Sequence, residues 1–392
     1  MRKDKWELVK LGGICEIDPS KRELADIASD TLVSFAEMAD LNEKRPYFNF
    51  SRKSNLGVLK KGGLSYFKDA DVLLAKMTPC FENGKSGLVA GCLNGIGFGS
   101  TEFFVLRGVK IDPYLLYSII SSDFFIDSGK LMMLGTTGRK RLMKDFVANY
   151  QIPLPPLEEQ KQIAALFQSI DTAIEQVEVQ EKNLKALQKT LSNGLVSKKP
   201  VFGNLLSDKN CNLCKFEDIT DCIEKHDKKP LESGITRFVG LEFIEAENFN
   251  LQGFGDIEKG TTFTKRFAKG DVLFGKRRAY LKKVAVADFD GICSGDILVF
   301  RANKTRMLPE LLPYYVSSDA FIQHAVSTSA GSLSPRTKWR DLAVLEISIP
   351  DLKTQKEIVE VFRYVQLALD QLKQQKTTLK NLKQKLLSEI LG

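Results

Sequence analysis

Between Leu157 and about Leu191 apolar residues recur at helical spacing. Ile163, Ile170, Val177, Leu184 and Leu191 stand seven apart, with Leu166, Ala173, Gln180 and Leu187 as a second seam. Such a heptad predicts a long helix whose seams face a partner helix. The pattern is written again near the C-terminus, where Ile358, Val365, Leu372, Leu379 and Leu386 form one seam and Val361, Ala368, Gln375 and Leu382 the other. Both ends of the match give one offset, 358 − 163 = 195 and 386 − 191 = 195. Two such helices satisfy each other's apolar stripe, which either alone would expose to water. About 160 residues lie between them, enough for a domain. Antiparallel pairing is therefore expected, with the intervening domains at opposite ends. At 1.5 Å per residue, about 35 residues make a spacer of roughly 50 Å. A single copy reads equally well as an ordinary core helix; the duplication favours the pair. Gln180 and Gln375 either set the register as buried polar residues or lie on the wet side of the seam.

The repeat extends beyond the helices. Trp6 to Ile17 has an echo at Phe216 to Glu224, each a short amphipathic segment opening a domain. Thr31 to Leu41 matches Thr236 to Ala246, with Glu37 opposite Glu242, and its β-branched and aromatic content predicts a strand. Asp71 to Lys76 (DVLLAK) matches Asp271 to Lys276 (DVLFGK), and Ser100 to Leu106 parallels Ser294 to Phe300. Leu115 to Ile126 and Leu311 to Ile322 look helical and are expected to stop at Ser-Ser-Asp. Gly135 to Phe146 and Gly331 to Leu342 each carry a glycine and a basic stretch, followed by a short strand. Pro155, Pro156 and Pro350 mark where that strand gives way to the long helix. Asn193-Gly194 reads as a helix stop, and Lys198 to Asp208 as a linker. The fold class is α+β: two tandem mixed domains, 1–152 and 200–349, separated by long helices at 153–199 and 350–392 that form an antiparallel coiled coil.

Composition narrows this little. A chain of 392 residues exceeds one core, and 43% hydrophobic with 27% charged residues is ordinary for a globular protein. The charged first ten residues do not suit a signal peptide, and there is no apolar run of membrane length, so a cytoplasmic protein is expected. Seven scattered cysteines argue against a disulfide framework. The net charge of +8 is compatible with a polyanionic partner.

The basic stretches are the most informative polar features. Lys276, Arg277, Arg278, Tyr280, Lys282 and Lys283 follow a predicted strand, where a turn or ribbon could present cations to phosphates and base edges. The first half has Lys76 and Lys85 near the equivalent place. A second basic loop comprises Thr136, Thr137, Arg139, Lys140, Arg141 and Lys144 in one half and Arg336, Lys338 and Arg340 in the other. One such run is usually a solvated surface, but recurrence in corresponding places of both halves favours a nucleic-acid contact. Other motifs fail on their details. Gly84-Lys85-Ser86 lacks the glycine five residues earlier that a phosphate loop needs, since Pro79 stands there. Cys211, Cys214, Cys222 and His226 have zinc-ligand chemistry but no finger spacing, so no metal is assigned. Glu159-Gln160-Lys161 has a nuclease-like form but opens a helix, and no Asn-Pro-Pro-aromatic methyltransferase loop is present. With two histidines, the chain has little material for acid-base catalysis.

Pro153 to Ile174 (PLPPLEEQKQIAALFQSIDTAI) and Ser348 to Leu369 (SIPDLKTQKEIVEVFRYVQLAL) resemble the paired helix starts of type I restriction-modification specificity subunits, with Gln160 and Gln355 at matching turns. Asp271 to Asp288 is similar to the target recognition domains of that family, and the resemblance covers essentially the whole chain. It implies that each domain reads one half of a split, asymmetric double-stranded DNA sequence while the coiled coil fixes the gap. It also implies a non-catalytic chain joined by two modification (methyltransferase) subunits and by restriction subunits. S-adenosylmethionine, ATP and magnesium would then belong to those partners, and this chain would hold no cofactor. Met77, Thr78 and Pro79 stand where the second half has Arg277, Arg278 and Ala279, so the halves should read different sequences. The competing readings are an enzyme, for which no cofactor motif is found, and a coiled-coil scaffold with protein- or RNA-binding domains.

Overall fold

The computed structural model describes residues 6–136, 138–196, 206 and 211–391. Two compact units are present, Met1–Val179 with Lys373–Gly392, and Gln180–Leu372. The divide passes through both long helices, Leu157–Val196 and Leu352–Leu391.

In the first unit, two four-stranded sheets lie against each other. One runs Cys15–Ile17, Phe103–Gly108, Val72–Ala75, Ser86–Leu88, all antiparallel. The other runs Arg52–Asn55, Leu32–Ala36, Ile96–Gly99, Ser65–Lys68, with its central pair parallel. The strand Val72–Ala75 is buried on both faces. Successive side chains point to opposite faces: Val72 and Leu74 join the core that includes the start of the first long helix, while Leu73 joins Ala36 and Phe67 of the second sheet, with Phe103 of its own.

The second unit repeats this order. Its sheets run Thr220–Cys222, Ile297–Ala302, Val272–Gly275, Val284–Val286 and Gly255–Asp256, Arg237–Val239, Gly291–Cys293, Lys265–Phe267. Val272 and Phe274 again face one core and Leu273 the other. A two-stranded antiparallel ribbon closes each unit, Glu7–Lys10 with Gln151–Leu154 and Cys211–Lys215 with Glu346–Pro350. Each unit also repeats one ion pair made on a buried aspartate. The carboxylate of Asp71 takes Nε and a terminal nitrogen of Arg107 at 2.8 and 2.7 Å, and that of Asp271 takes the same groups of Arg301 at 2.7 and 2.7 Å.

Both long helices have 40 residues, about 60 Å at 1.5 Å per residue. Their pairing is antiparallel as seen in each unit. In the first, Ile163, Phe167 and Ile170 share a core with Leu387 and Ile390; in the second, Leu191 and Leu195 share one with Ile358, Phe362, Val365 and Leu369. Of the expected first seam, Ile163, Ile170, Val177 and Leu191 are buried, as are Ile358 and Val365, while Leu184, Leu372, Leu379 and Leu386 are half-buried.

The expected second seam is displaced. Leu166, Leu187 and Leu382 are each more than 40% exposed, and Gln180 and Gln375 face water. The inward-facing series stands one residue later: Gln160, Phe167, Glu181 and Leu195 are buried and Ile174 and Gln188 half-buried, and at the same offset of 195 Gln355, Phe362, Leu369, Lys383 and Ile390 are buried and Lys376 half-buried. Steps of three and four residues both return to one helix face, and the bulk of Phe167 and Phe362 decides for four. Gln180 and Gln375 therefore set no register.

Two further expectations change. The Ser-Ser-Asp motif is a corner between helices, because the Ser122 and Ser318 hydroxyls accept from the amides of Phe125 and Phe321 and start Asp123–Met132 and Asp319–Ser327. Asn193-Gly194 does not end the first long helix, which continues to Val196. Asn193 instead exchanges hydrogen bonds with Asp319, its amide donating to the carboxylate at 2.8 Å and its carbonyl accepting from the Asp319 backbone at 2.7 Å. The linker expected at Lys198 to Asp208 falls almost wholly outside the described residues.

Candidate nucleic-acid interface

In each unit the strand that crosses both cores ends where the second basic loop returns to it. Met77 bridges Arg141 in the first unit, and Arg277 bridges Arg336 in the second. The equivalence is close: the Leu142 amide donates to the Lys76 carbonyl at 2.8 Å and the Thr337 amide to that of Lys276 at 3.2 Å. Gly135 consequently corresponds to Ala330, and Gly331 stands one residue later than the sequence match placed it. The first loop is a hairpin, Leu134–Thr136 with Arg139–Arg141. It requires glycine at 135, where φ is +134° and a Cβ would lie 2.5 Å from the Arg139 carbonyl oxygen.

The basic residues divide by what their charged groups touch. In the first unit Thr136 and Arg139 are exposed and Lys140 is half-buried, whereas Thr137 lies outside the described residues. Arg141 pairs with Glu102. Lys144 donates to the Ile17 carbonyl at 2.8 Å. The ammonium of Lys76 stands 4.5 Å from the Phe104 ring centre and donates to the Thr101 carbonyl at 3.2 Å; burial lowers its pKa. Lys85 donates to the Met38 carbonyl at 3.1 Å, and its counterpart Lys283 to the Leu241 carbonyl at 2.6 Å. These two lysines tie one sheet to the loop following the other.

In the second unit Asp296 receives both Arg277, at 3.1 Å, and Arg336, at 2.7 Å. Its carboxyl is held below the usual carboxylate range, chiefly by the Arg336 hydrogen bond. Arg278, in the left-handed conformation at φ 53°, donates from its amide to the Pro335 carbonyl and from its guanidinium to that of Leu333. Lys282 pairs with Asp319 at 2.6 Å, and Arg340 contacts Asp341 at 3.4 Å. Tyr280 and Lys338 are exposed and Lys276 is half-buried. Backbone contacts thus bring Lys76 beside Arg141 in the first unit, and Lys276, Arg277 and Arg278 beside Arg336 in the second, while Lys144, Lys282 and Arg340 make contacts of their own. Reading the basic residues alone missed the acids that hold them, although Glu102 and Asp296 occupy matching places in Ser100 to Leu106 and Ser294 to Phe300.

Asp296→Asn keeps one acceptor oxygen for the two arginines, replaces the other by a donating amide, and removes a negative charge beside them. We expect non-specific DNA binding to strengthen a few-fold and to fall more steeply with added salt, as read by fluorescence anisotropy on a random duplex; unchanged affinity would show that this edge faces away from DNA.

Zinc chemistry has no matching geometry. The Cys222 thiol lies 3.6 Å from the Glu224 carboxylate, and His226 Nδ1 is 2.9 Å from the Thr264 hydroxyl. Among the described residues no three His, Cys, Asp or Glu side chains converge as a metal site requires, and no helix is long and apolar enough to cross a membrane.

The type I restriction enzyme EcoEI specificity subunit of Escherichia coli is 35% identical over 177 residues, 45% of this chain and 29% of that protein. The EcoDI specificity subunit of E. coli is 24% identical over 328 residues, 73% and 71% of the two chains. The chain therefore spans under a third of the first relative's length but most of the second's. A solved chain from work on assembly and conformational transition of the type I R-M system superposes with a TM-score of 0.62 at 19% identity, over 98% of this chain and 97% of that one. The type I restriction-modification S subunit from M. genitalium gives 0.56 at 13% identity, over 99% and 96%. Both likenesses concern the fold. The type I restriction modification DNA specificity domain matches twice, over residues 3–186 and 217–381, one copy for each half of the repeat, and the chain belongs to that family.

Proposed function

We propose that this chain is the DNA-recognition subunit of a type I restriction-modification complex. Each unit reads one half of a split, asymmetric target, the paired helices set the gap, and the chain brings methyltransferase and restriction subunits to the site. The observation that carries this reading is the twofold recurrence of one basic edge, built on the same strand order with an acid holding its arginines. Arg139, Lys140, Arg277, Arg278, Lys338 and Arg340 are the direct contacts, with Thr136 and Tyr280 beside them. Arginine forks suit guanine or phosphate, and lysine suits phosphate. Lys85 and Lys283 position the edge. The half-sites differ, because the hairpin of one unit turns through Gly138 where the other unit has the Gly-Ser-Leu-Ser-Pro loop.

Catalysis belongs to the partners, which would hold S-adenosylmethionine, ATP and magnesium. Two modification subunits suit a twofold repeat, and DNA as the target implies the cytoplasm. Methylome sequencing of cells carrying this chain with its modification subunit, against cells lacking only this chain, tests the reading. A split motif that depends on the chain, with one half changed by exchanging residues 200–346, is expected. If the modification subunit is active and no motif depends on the chain, the reading falls and a coiled-coil scaffold for protein or RNA takes its place.

Inserting matched heptads into both long helices adds about 10 Å to their length, about three base pairs of duplex. The gap should widen accordingly while both half-sites stay the same. A changed half-site in the insertion mutant's methylome would count against the helices as a ruler.

A further inference from the structure

The loop between Ala330 and Arg336 presents an apolar residue at its tip. Leu333 is 88% exposed, more than any other large hydrophobic residue among the described ones. A lone exposed leucine needs no explanation, but this one is held in place from several sides. Ala330 and Arg336 exchange backbone hydrogen bonds at 3.0 and 2.9 Å and close the loop into a narrow ribbon. The Leu333 carbonyl accepts from the Arg278 guanidinium at 3.2 Å, and the Pro335 carbonyl from the Arg278 amide at 2.8 Å. Arg336 is fixed in turn by Asp296. The backbone that carries this isobutyl group is thus held in place, and the group itself stands in water beside Arg277, Arg278 and Arg336, at the edge already assigned to DNA.

We propose that Leu333 is a specificity-determining residue that packs on the C5 methyl of one thymine in the half-site read by the second unit. The inference rests on the DNA-recognition reading above. The major groove admits a two-stranded ribbon, and its one apolar feature is the thymine methyl. A leucine side chain has no hydrogen-bonding group, so that methyl is the feature it can discriminate there. Arg277 and Arg278 beside it reach phosphates or guanine and hold the tip at base depth, while Arg336 stays on Asp296. The first unit has Gly138 at the position that corresponds to Leu333 and lacks the contact.

The test uses the full chain with its modification subunit and duplexes carrying the motif found by methylome sequencing. Each thymine in turn is replaced by deoxyuridine, which removes only the methyl. Wild type should lose about fourfold in affinity at one thymine of the second unit's half-site, the worth of one buried methyl, and at none in the other half-site. Leu333→Ala should bind the unmodified duplex about as weakly and no longer respond to that replacement. Specific binding that is indifferent to every thymine-to-uracil change, or a response retained in Leu333→Ala, overturns this proposal and leaves the recognition reading standing. Absence of any chain-dependent specific duplex overturns both.

Discussion

Replacing Lys383 by methionine should destabilise the first unit by about 3–5 kcal/mol, the cost of leaving one member of a buried ion pair alone. The Lys383 ammonium lies 2.7 Å from both oxygens of Asp171, with side chains 10% and 12% exposed. The Tyr114 hydroxyl donates to the same carboxylate at 2.8 Å and cannot neutralise it. Burial and that carboxylate together push the Tyr114 pKa up, so the phenol stays a donor through neutral pH. The double variant Asp171→Leu/Lys383→Met should recover most of the loss, because two apolar groups replace two desolvated charges. Urea unfolding followed by circular dichroism measures both. A double variant as unstable as the single one would show that shape, not charge, decides this contact.

A comparable loss, about 3–5 kcal/mol, is expected in the second unit for Gln355→Leu. Gln355 is 0% exposed, and its amide accepts from the Leu308 backbone at 2.8 Å while donating to the carbonyls of Arg306 and Pro350 at 2.7 and 2.9 Å. Leucine matches the volume but leaves three backbone groups without this partner, each costing about 1–3 kcal/mol when buried. The first unit repeats the arrangement: Gln160 accepts from Asp112 and donates to Lys110 and Pro155. Gln355→Glu separates the roles, since a carboxylate still accepts from Leu308 but cannot donate to the two carbonyls. It should remain destabilised in the same urea titration, and wild-type stability in either variant would mean that water replaces the side chain.

These glutamines explain part of what the sequence made legible. Gln160 and Gln355 stand out as a repeated polar position in an apolar run, and the structure gives them a bonding role that the repeat alone could not state. The isoleucine seam was readable because 163, 170, 358 and 365 are apolar at one spacing. Its companion was not, because the true series includes Glu181, Gln188, Lys376 and Lys383, whereas the decoy series offers Leu166, Leu187 and Leu382. Hydrophobicity misleads where a seam buries charge. The basic loops were found by composition, but their placement on one edge comes from backbone bridges between residues about 60 apart, 77 with 141 and 277 with 336, which no local pattern encodes. Leu333 was overlooked for the same reason, since an exposed leucine is visible only once its surroundings are known.

The core shared by Ile163, Phe167 and Ile170 with Leu387 and Ile390 also fixes an order of events at the ribosome. From Ile170 to Ile390 the chain runs 390 − 170 = 220 residues. At about 5–20 residues per second, the first unit's half of the seam emerges roughly ten to forty seconds before its partner exists. The recognition sheets can assemble in that interval, but the helix beside them waits with its apolar face uncovered, and chaperone binding during synthesis is expected to concentrate there.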